Sequence, residues 1–133
     1  MAGIAGFDHV AITVADLEAT CRFYDRLFGA ETHVDHSVGG RTLVRQIRLG
    51  GAMLSVHQAG NGIDLVARRP TEGSADICFR WSGTIASAAA RLDAEGIAPV
   101  EGPSPRRTSD GVPSQSLYFR DLDGNLIELM AAD

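Results

Sequence analysis

The apolar positions change period along the first part of the chain. From Phe7 to Val14 they alternate: Val10, Ile12 and Val14 share one side, and His9, Ala11 and Thr13 share the other. Alternation of this kind predicts a strand. Leu17, Cys21, Tyr24 and Phe28 then recur at helical spacing, with Asp16 placed to cap the helix and Gly29 suited to its left-handed stop. Short extended runs follow at Glu31 to Asp35, Arg41 to Leu49 and Ala52 to His57, separated by the turn pairs Gly39-Gly40 and Gly50-Gly51.

The pattern then repeats. Ala75 to Trp81 predicts a strand like the first, with Asp76 at the place of His9, an offset of 76 minus 9, or 67. A helix over Ile85 to Glu95, capped by Ser82 or Thr84, closes on Gly96, which again lies 67 beyond Gly29. Strands are expected at Pro99 to Gly102, Ser114 to Arg120 and Asn125 to Met130, with Asp110-Gly111 and Asp123-Gly124 as turn signals. Leu54-Ser55-Val56 corresponds to Ile127-Glu128-Leu129 at 128 minus 55, or 73, so the second copy carries about six more residues. The loop from Pro103 to Pro113 is expected to absorb them. The fold class is therefore α+β: a single domain over 1–133 with two tandem βαβββ modules, about 5–60 and 73–131, joined by a linker at 61–72 and forming a curved mixed sheet.

In each module the helix covers one sheet face, and alternation assigns residues to the covered or the open side. Val10, Ile12, Val14, Leu54, Val56, Ile77, Phe79, Trp81, Leu117, Phe119, Ile127 and Leu129 fall to the core. His9, Ser55, His57, Asp76, Cys78, Arg80, Tyr118 and Glu128 fall to the open face. A sheet that is simply wet on one side gives this segregation, and so does a ligand cluster. Residue type supports the second reading. His9, His57, Asp76 and Glu128 are metal-ligand types: imidazole and carboxylate suit zinc, iron(II), manganese or nickel, and two histidines with one carboxylate on one face is the arrangement of mononuclear iron oxygenases.

Charge narrows the partners. A net charge of -5 gives no basic face for nucleic acid, and no apolar run approaches the roughly 20 residues of a membrane span. The start of the chain lacks a basic segment followed by an apolar one, so the expectation is a cytoplasmic protein acting on a small molecule. Cys21 and Cys78 match no metal spacing and are expected to be reduced and structural. Arg68-Arg69 and Arg106-Arg107 read as loop charges beside prolines. Arg41, Arg45, Arg80 and Arg107 read as solvated in preference to anion-binding.

Phe7-Asp8-His9-Val10-Ala11-Ile12-Thr13-Val14, with Asp16-Leu17 and Phe23-Tyr24, resembles the opening of a vicinal oxygen chelate module. Tyr118 to Leu129 resembles its closing strand pair, with Leu122 where the family's Asp-Pro-Asp-Gly-Asn turn has proline. The resemblance extends over essentially the whole chain and is nearest to glyoxalase-domain, virulence-type and biphenyl-diol-dioxygenase-related proteins. It implies a divalent metal (Fe2+, Mn2+, Zn2+ or Ni2+) with His9 as first ligand and Glu128 as last. Asp76 stands where a histidine is usual, and Ser55 where a glutamate is often found, with His57 nearby as a substitute ligand or a substrate contact. Tyr118 is expected to orient substrate, and Glu128 to take part in catalysis. The implied chemistry leans to ring-cleaving, extradiol-type dioxygenation. A glyoxalase-like lyase or isomerase and a metal-free, bleomycin-resistance-like binding protein are the alternatives. The family also implies a homodimer.

Overall fold

The computed structural model describes residues 2–132. They form eight strands and two helices in the order β1 (Val10–Val14), α1 (Leu17–Phe28), β2 (Glu31–Val38), β3 (Arg41–Leu49), β4 (Ala52–Gln58), β5 (Asp76–Arg80), α2 (Ile85–Ala94), β6 (Glu101–Arg107), β7 (Pro113–Arg120) and β8 (Leu126–Ala131). The chain divides into two compact units, 1–72 and 73–133. Each is one βαβββ repeat with its own four-stranded sheet, ordered β1-β4-β3-β2 in the first and β5-β8-β7-β6 in the second.

Within a unit the last strand is inserted beside the first. β1 runs parallel to β4 and β5 parallel to β8, while the other pairs are antiparallel. A parallel pair needs a long crossover, and the helix supplies it. Asp16 Oδ1 accepts from Ala19 N at 3.1 Å to start α1, and Gly29, at φ 72°, closes it by donating to the Asp25 carbonyl. In the second unit Thr84, not Ser82, is the cap, accepting from Ser87 N at 3.1 Å. Gln58, at the end of β4, accepts from Leu17 N and donates to the Ala15 carbonyl, which pins the start of α1 to the sheet.

The first core joins Leu17, Tyr24 and Leu27 of α1 to Ile12, Val14, Ile47, Leu54 and Val56. Ala88 and Leu92 belong to the second, with Leu117, Phe119, Ile127 and Leu129. Burying each large side chain contributes about 1.5–3 kcal/mol, so the covered face holds each helix to its sheet. Arg45 also lies on that side, beside Val56 in register. It donates to Glu18 of α1 at 2.9 and 3.0 Å and to Asp35 of β2 at 2.6 and 3.1 Å. It is a clamp between helix and sheet and not a solvated arginine.

Several boundaries differ from the sequence expectation. β1 begins at Val10, where pairing with Leu54 starts, so Phe7 and His9 precede the strand; Phe7 is 93% exposed and Val10 42%. Ser55 keeps to the open face, with Gln46, but is buried on a central strand, where it accepts from Gln46 Nε2 at 2.9 Å. Ile77, Phe79 and Trp81 are only half buried. β6 runs to Arg107, so Arg106 and Arg107 are strand residues paired with Ser114 and Pro113, not loop charges. The extra length of the second repeat lies on both sides of β6. The connection before it spans 95–100, against 29–30 in the first repeat, and the turn after it spans 108–112, against Gly39-Gly40. Gly102 permits the irregular entry to β6, because a Cβ there would collide with the Ser116 carbonyl. No described helix is long and apolar enough to cross a membrane.

Candidate functional site

In the first unit, His9 stands just ahead of β1, next to the open face. Its Nδ1 lies 2.7 Å from Asp8 Oδ1. A carboxylate only accepts, so Nδ1 carries the proton and the Nε2 lone pair is left free. That is the tautomer of a metal-ligating histidine oriented by a carboxylate.

His57 is held in the opposite sense. Asn61 Nδ2 donates to the Leu43 carbonyl at 3.2 Å, and Asn61 Oδ1 accepts from Ile63 N at 2.9 Å, which fixes the direction of the amide. The same Nδ2 stands 3.5 Å from His57 Nδ1. Nδ1 is then the acceptor, and the proton of the neutral ring sits on Nε2, making His57 a hydrogen-bond donor. Burial and the neighbouring His9 both push the His57 pKa down. The ring is accordingly neutral at pH 7, and His9 and His57 are close enough to sense each other. Ser55 and Gln46 complete this patch with polar, uncharged groups.

In the second unit, β8 carries Glu128 between Cys78 of β5 and Tyr118 of β7. Among the described residues Glu128 has no cationic partner. Cys78 is a free, exposed thiol, and burial of its sulfur with the adjacent Glu128 carboxylate pushes its pKa up to about 11, against an opposing pull from Arg80. Tyr118 accepts from Arg106 Nε at 2.8 Å, and the guanidinium lies 5.4 Å from the centre of its ring. Arg106 also reaches Glu101 at 2.7 Å. Partial burial holds the Tyr118 pKa above its ordinary value; Arg106 opposes this and Glu128 adds to it. The phenol therefore keeps its proton and presents it toward Glu128. Asp76 opens β5, exposed, two residues before Cys78.

His9 and His57 thus come together in one unit, and Glu128, Tyr118 and Cys78 in the other. No three His, Cys, Asp or Glu side chains among the described residues converge on one point where an ion would sit. Sequence reasoning missed Asp8, Asn61 and Arg106, which act on the candidate residues. It also read Cys78 as structural, although the alternation that put Glu128 on the open face put Cys78 there too.

Tandem βαβββ units, each with one face of its four-stranded sheet covered by a helix, define the class of fold. The Glyoxalase/Bleomycin resistance protein/Dioxygenase superfamily model matches residues 6–129, and the chain belongs to that superfamily. It is 37% identical over 122 residues to virulence protein STM3117 of Salmonella typhimurium, covering 92% of this chain and 81% of that protein. It is also 37% identical over 126 residues to the glyoxalase domain-containing protein RDO1 of Mycosarcoma maydis, covering 95% and 68%. The solved integron cassette protein VCH_CASS1 of V. cholerae superposes with a TM-score of 0.87 at 32% identity, covering 100% of this chain and 99% of that one.

Proposed function

We propose that this chain is a divalent-metal-dependent enzyme of glyoxalase type, acting on a small molecule with two adjacent oxygens. The candidate ligands are His9 in the first unit and Asp76 and Glu128 in the second. The observation that carries this reading is the Asp8–His9 hydrogen bond, which leaves the Nε2 lone pair of His9 free. One imidazole and two carboxylates make a donor set suited to manganese, iron(II), zinc or nickel. A bound ion would supply Lewis-acid stabilisation of negative charge developing on substrate oxygen, worth several kcal/mol.

The chain's own residues have separable roles in this proposal. Tyr118, kept protonated by partial burial and Glu128 and held by Arg106, can turn its one O–H from Glu128 to an oxygen bound beside it. His57 offers an Nε2 hydrogen to a substrate oxygen. A carboxylate, Glu128 or Asp76, accepts the carbon-bound proton in an isomerisation.

Ring-cleaving dioxygenation through His9, His57 and Glu128 is the second reading, favoured by the pairing of two histidines in one unit. It requires the Nε2 lone pair of His57, and the Asn61 amide disfavours that tautomer. Metal analysis of the purified protein separates the two. The proposal expects stoichiometric metal, lost in His9→Ala and Glu128→Ala, weakened about 10–100-fold in Asp8→Asn, and retained in His57→Gln. Loss of metal in His57→Gln as complete as in His9→Ala would favour the iron triad. A protein that folds and never takes up metal would be the sequestering, metal-free kind, and both readings would fall.

A further inference from the structure

The second sheet places a set of groups beside Glu128 that the metal reading leaves unused. Ser114 and Ser116 alternate with the core residues Leu117 and Phe119, so their hydroxyls share the open face with Tyr118. Ser116 is 0% exposed and Ser114 9%. Neither hydroxyl has a hydrogen-bond partner among the described residues. Burying a hydroxyl without a partner is costly, and such groups call for an explanation.

Register shows what surrounds them. Across the sheet, Arg80 of β5, Met130 of β8, Ser116 of β7 and Ser104 of β6 form one row, next to the row of Cys78, Glu128, Tyr118 and Glu101. Arg106 lies opposite Ser114 and extends to the Tyr118 hydroxyl, which takes its side chain past Ser116. Its charge is met by Glu101. Arg80 has no ion-pair partner among the described residues. Its side chain leaves β5 on the same face as that of Cys78, in the row of Met130 and Ser116.

The equivalent row of the first unit has Thr13, His57, Val44 and His36, without arginine or buried serine. The cluster is therefore a device of the second repeat and not a by-product of the fold.

We propose that Arg80, Ser114 and Ser116 form an oxyanion subsite, taking a phosphate, phosphonate or carboxylate group, and that the substrate is accordingly an anionic small molecule. The hydroxyls donate to the oxyanion and Arg80 supplies the charge. Assigning this anion to the substrate rests on the metal-enzyme reading above; the subsite itself does not.

The test is titration of the full chain, stripped of metal with chelator, with inorganic phosphate at constant ionic strength, followed by amide NMR. Saturable shifts are expected at Arg80, Ser114, Ser116 and Met130, with affinity falling about tenfold or more in Arg80→Gln and Ser116→Ala, as the loss of a charge-assisted bond implies. Ser116→Ala removes a hydroxyl without a partner, so its unfolding midpoint should not fall below that of the wild type, which separates lost binding from lost fold. No saturable shift at these amides, or equal affinity in all three proteins, overturns the proposal. His9→Ala should bind phosphate like the wild type. Phosphate binding in a protein that never takes up metal would keep the subsite and reject only the metal reading.

Discussion

Asn125 closes the turn before β8, and replacing it with alanine tests how that turn sets the site. Its side chain is 1% exposed. Nδ2 donates to Asp121 Oδ2 at 2.9 Å, and Oδ1 accepts from Ala75 N at 2.9 Å. Asp121 Oδ1 in turn accepts from Asp123 N and Asn125 N. The amide thus links the start of β8 to the start of β5, and Glu128 to Asp76. Asn125→Ala removes a bond to a carboxylate, worth about 2 kcal/mol, and leaves the half-buried Ala75 N–H unpaired at about 1 kcal/mol more. The expected loss is roughly 3 kcal/mol, a large share of the 5–15 kcal/mol typical of a domain. Urea unfolding followed by circular dichroism measures it. Asn125→Asp should be worse at neutral pH, since it sets a second carboxylate against Asp121, and should recover part of the loss as acid protonates one of the two. A cost under about 1 kcal/mol for Asn125→Ala would show that the turn is held by its backbone alone, and the argument would fail.

Two further predictions rest on single groups. Cys78 should react slowly with iodoacetamide at pH 7–8 and reach half-maximal rate near pH 11. Glu128→Gln removes the adjacent negative charge, so the midpoint should fall and alkylation speed up; an unchanged profile would mean the carboxylate does not face the sulfur. His57 has its folded pKa below the ordinary 6.5, so below that value the unfolded chain binds more protons than the folded one. Stability from this group is complete above about pH 6.5 and is lost as pH falls through the folded pKa. Imidazole NMR should place the His57 midpoint below 6.5, rising in His9→Ala, and a midpoint above 6.5 in the wild type would contradict the geometry.

The sequence made the repeat legible because both repeats carry the same punctuation. Asp16 and Gly29 bracket one helix, Thr84 and Gly96 bracket the other, and strand alternation did the rest. It was weaker where pairing sets the limits. Nothing local indicates that β1 must start at Val10, since that depends on Leu54, nor that β6 runs on through Arg106, since that depends on Ser114 across the sheet. For the candidate site, alternation put His9, His57, Asp76, Tyr118 and Glu128 on the open side but was silent on their partners. The two histidines differ in which ring nitrogen is protonated. Asp8 sets it for one, and Asn61, itself fixed by two backbone groups, sets it for the other. Such partners are invisible to periodicity. Ser114 and Ser116 read as ordinary polar strand residues until their burial is known.

The insertion of each repeat's final strand next to its first has a consequence for how the protein is made. During synthesis β5 emerges with nothing to pair with and must wait for β8, some fifty residues later in the chain. Such long-range pairing slows folding and leaves a sticky ribosome-bound intermediate. A premature stop codon ahead of Leu126 would leave β5 unpaired and strip Glu128 from the product.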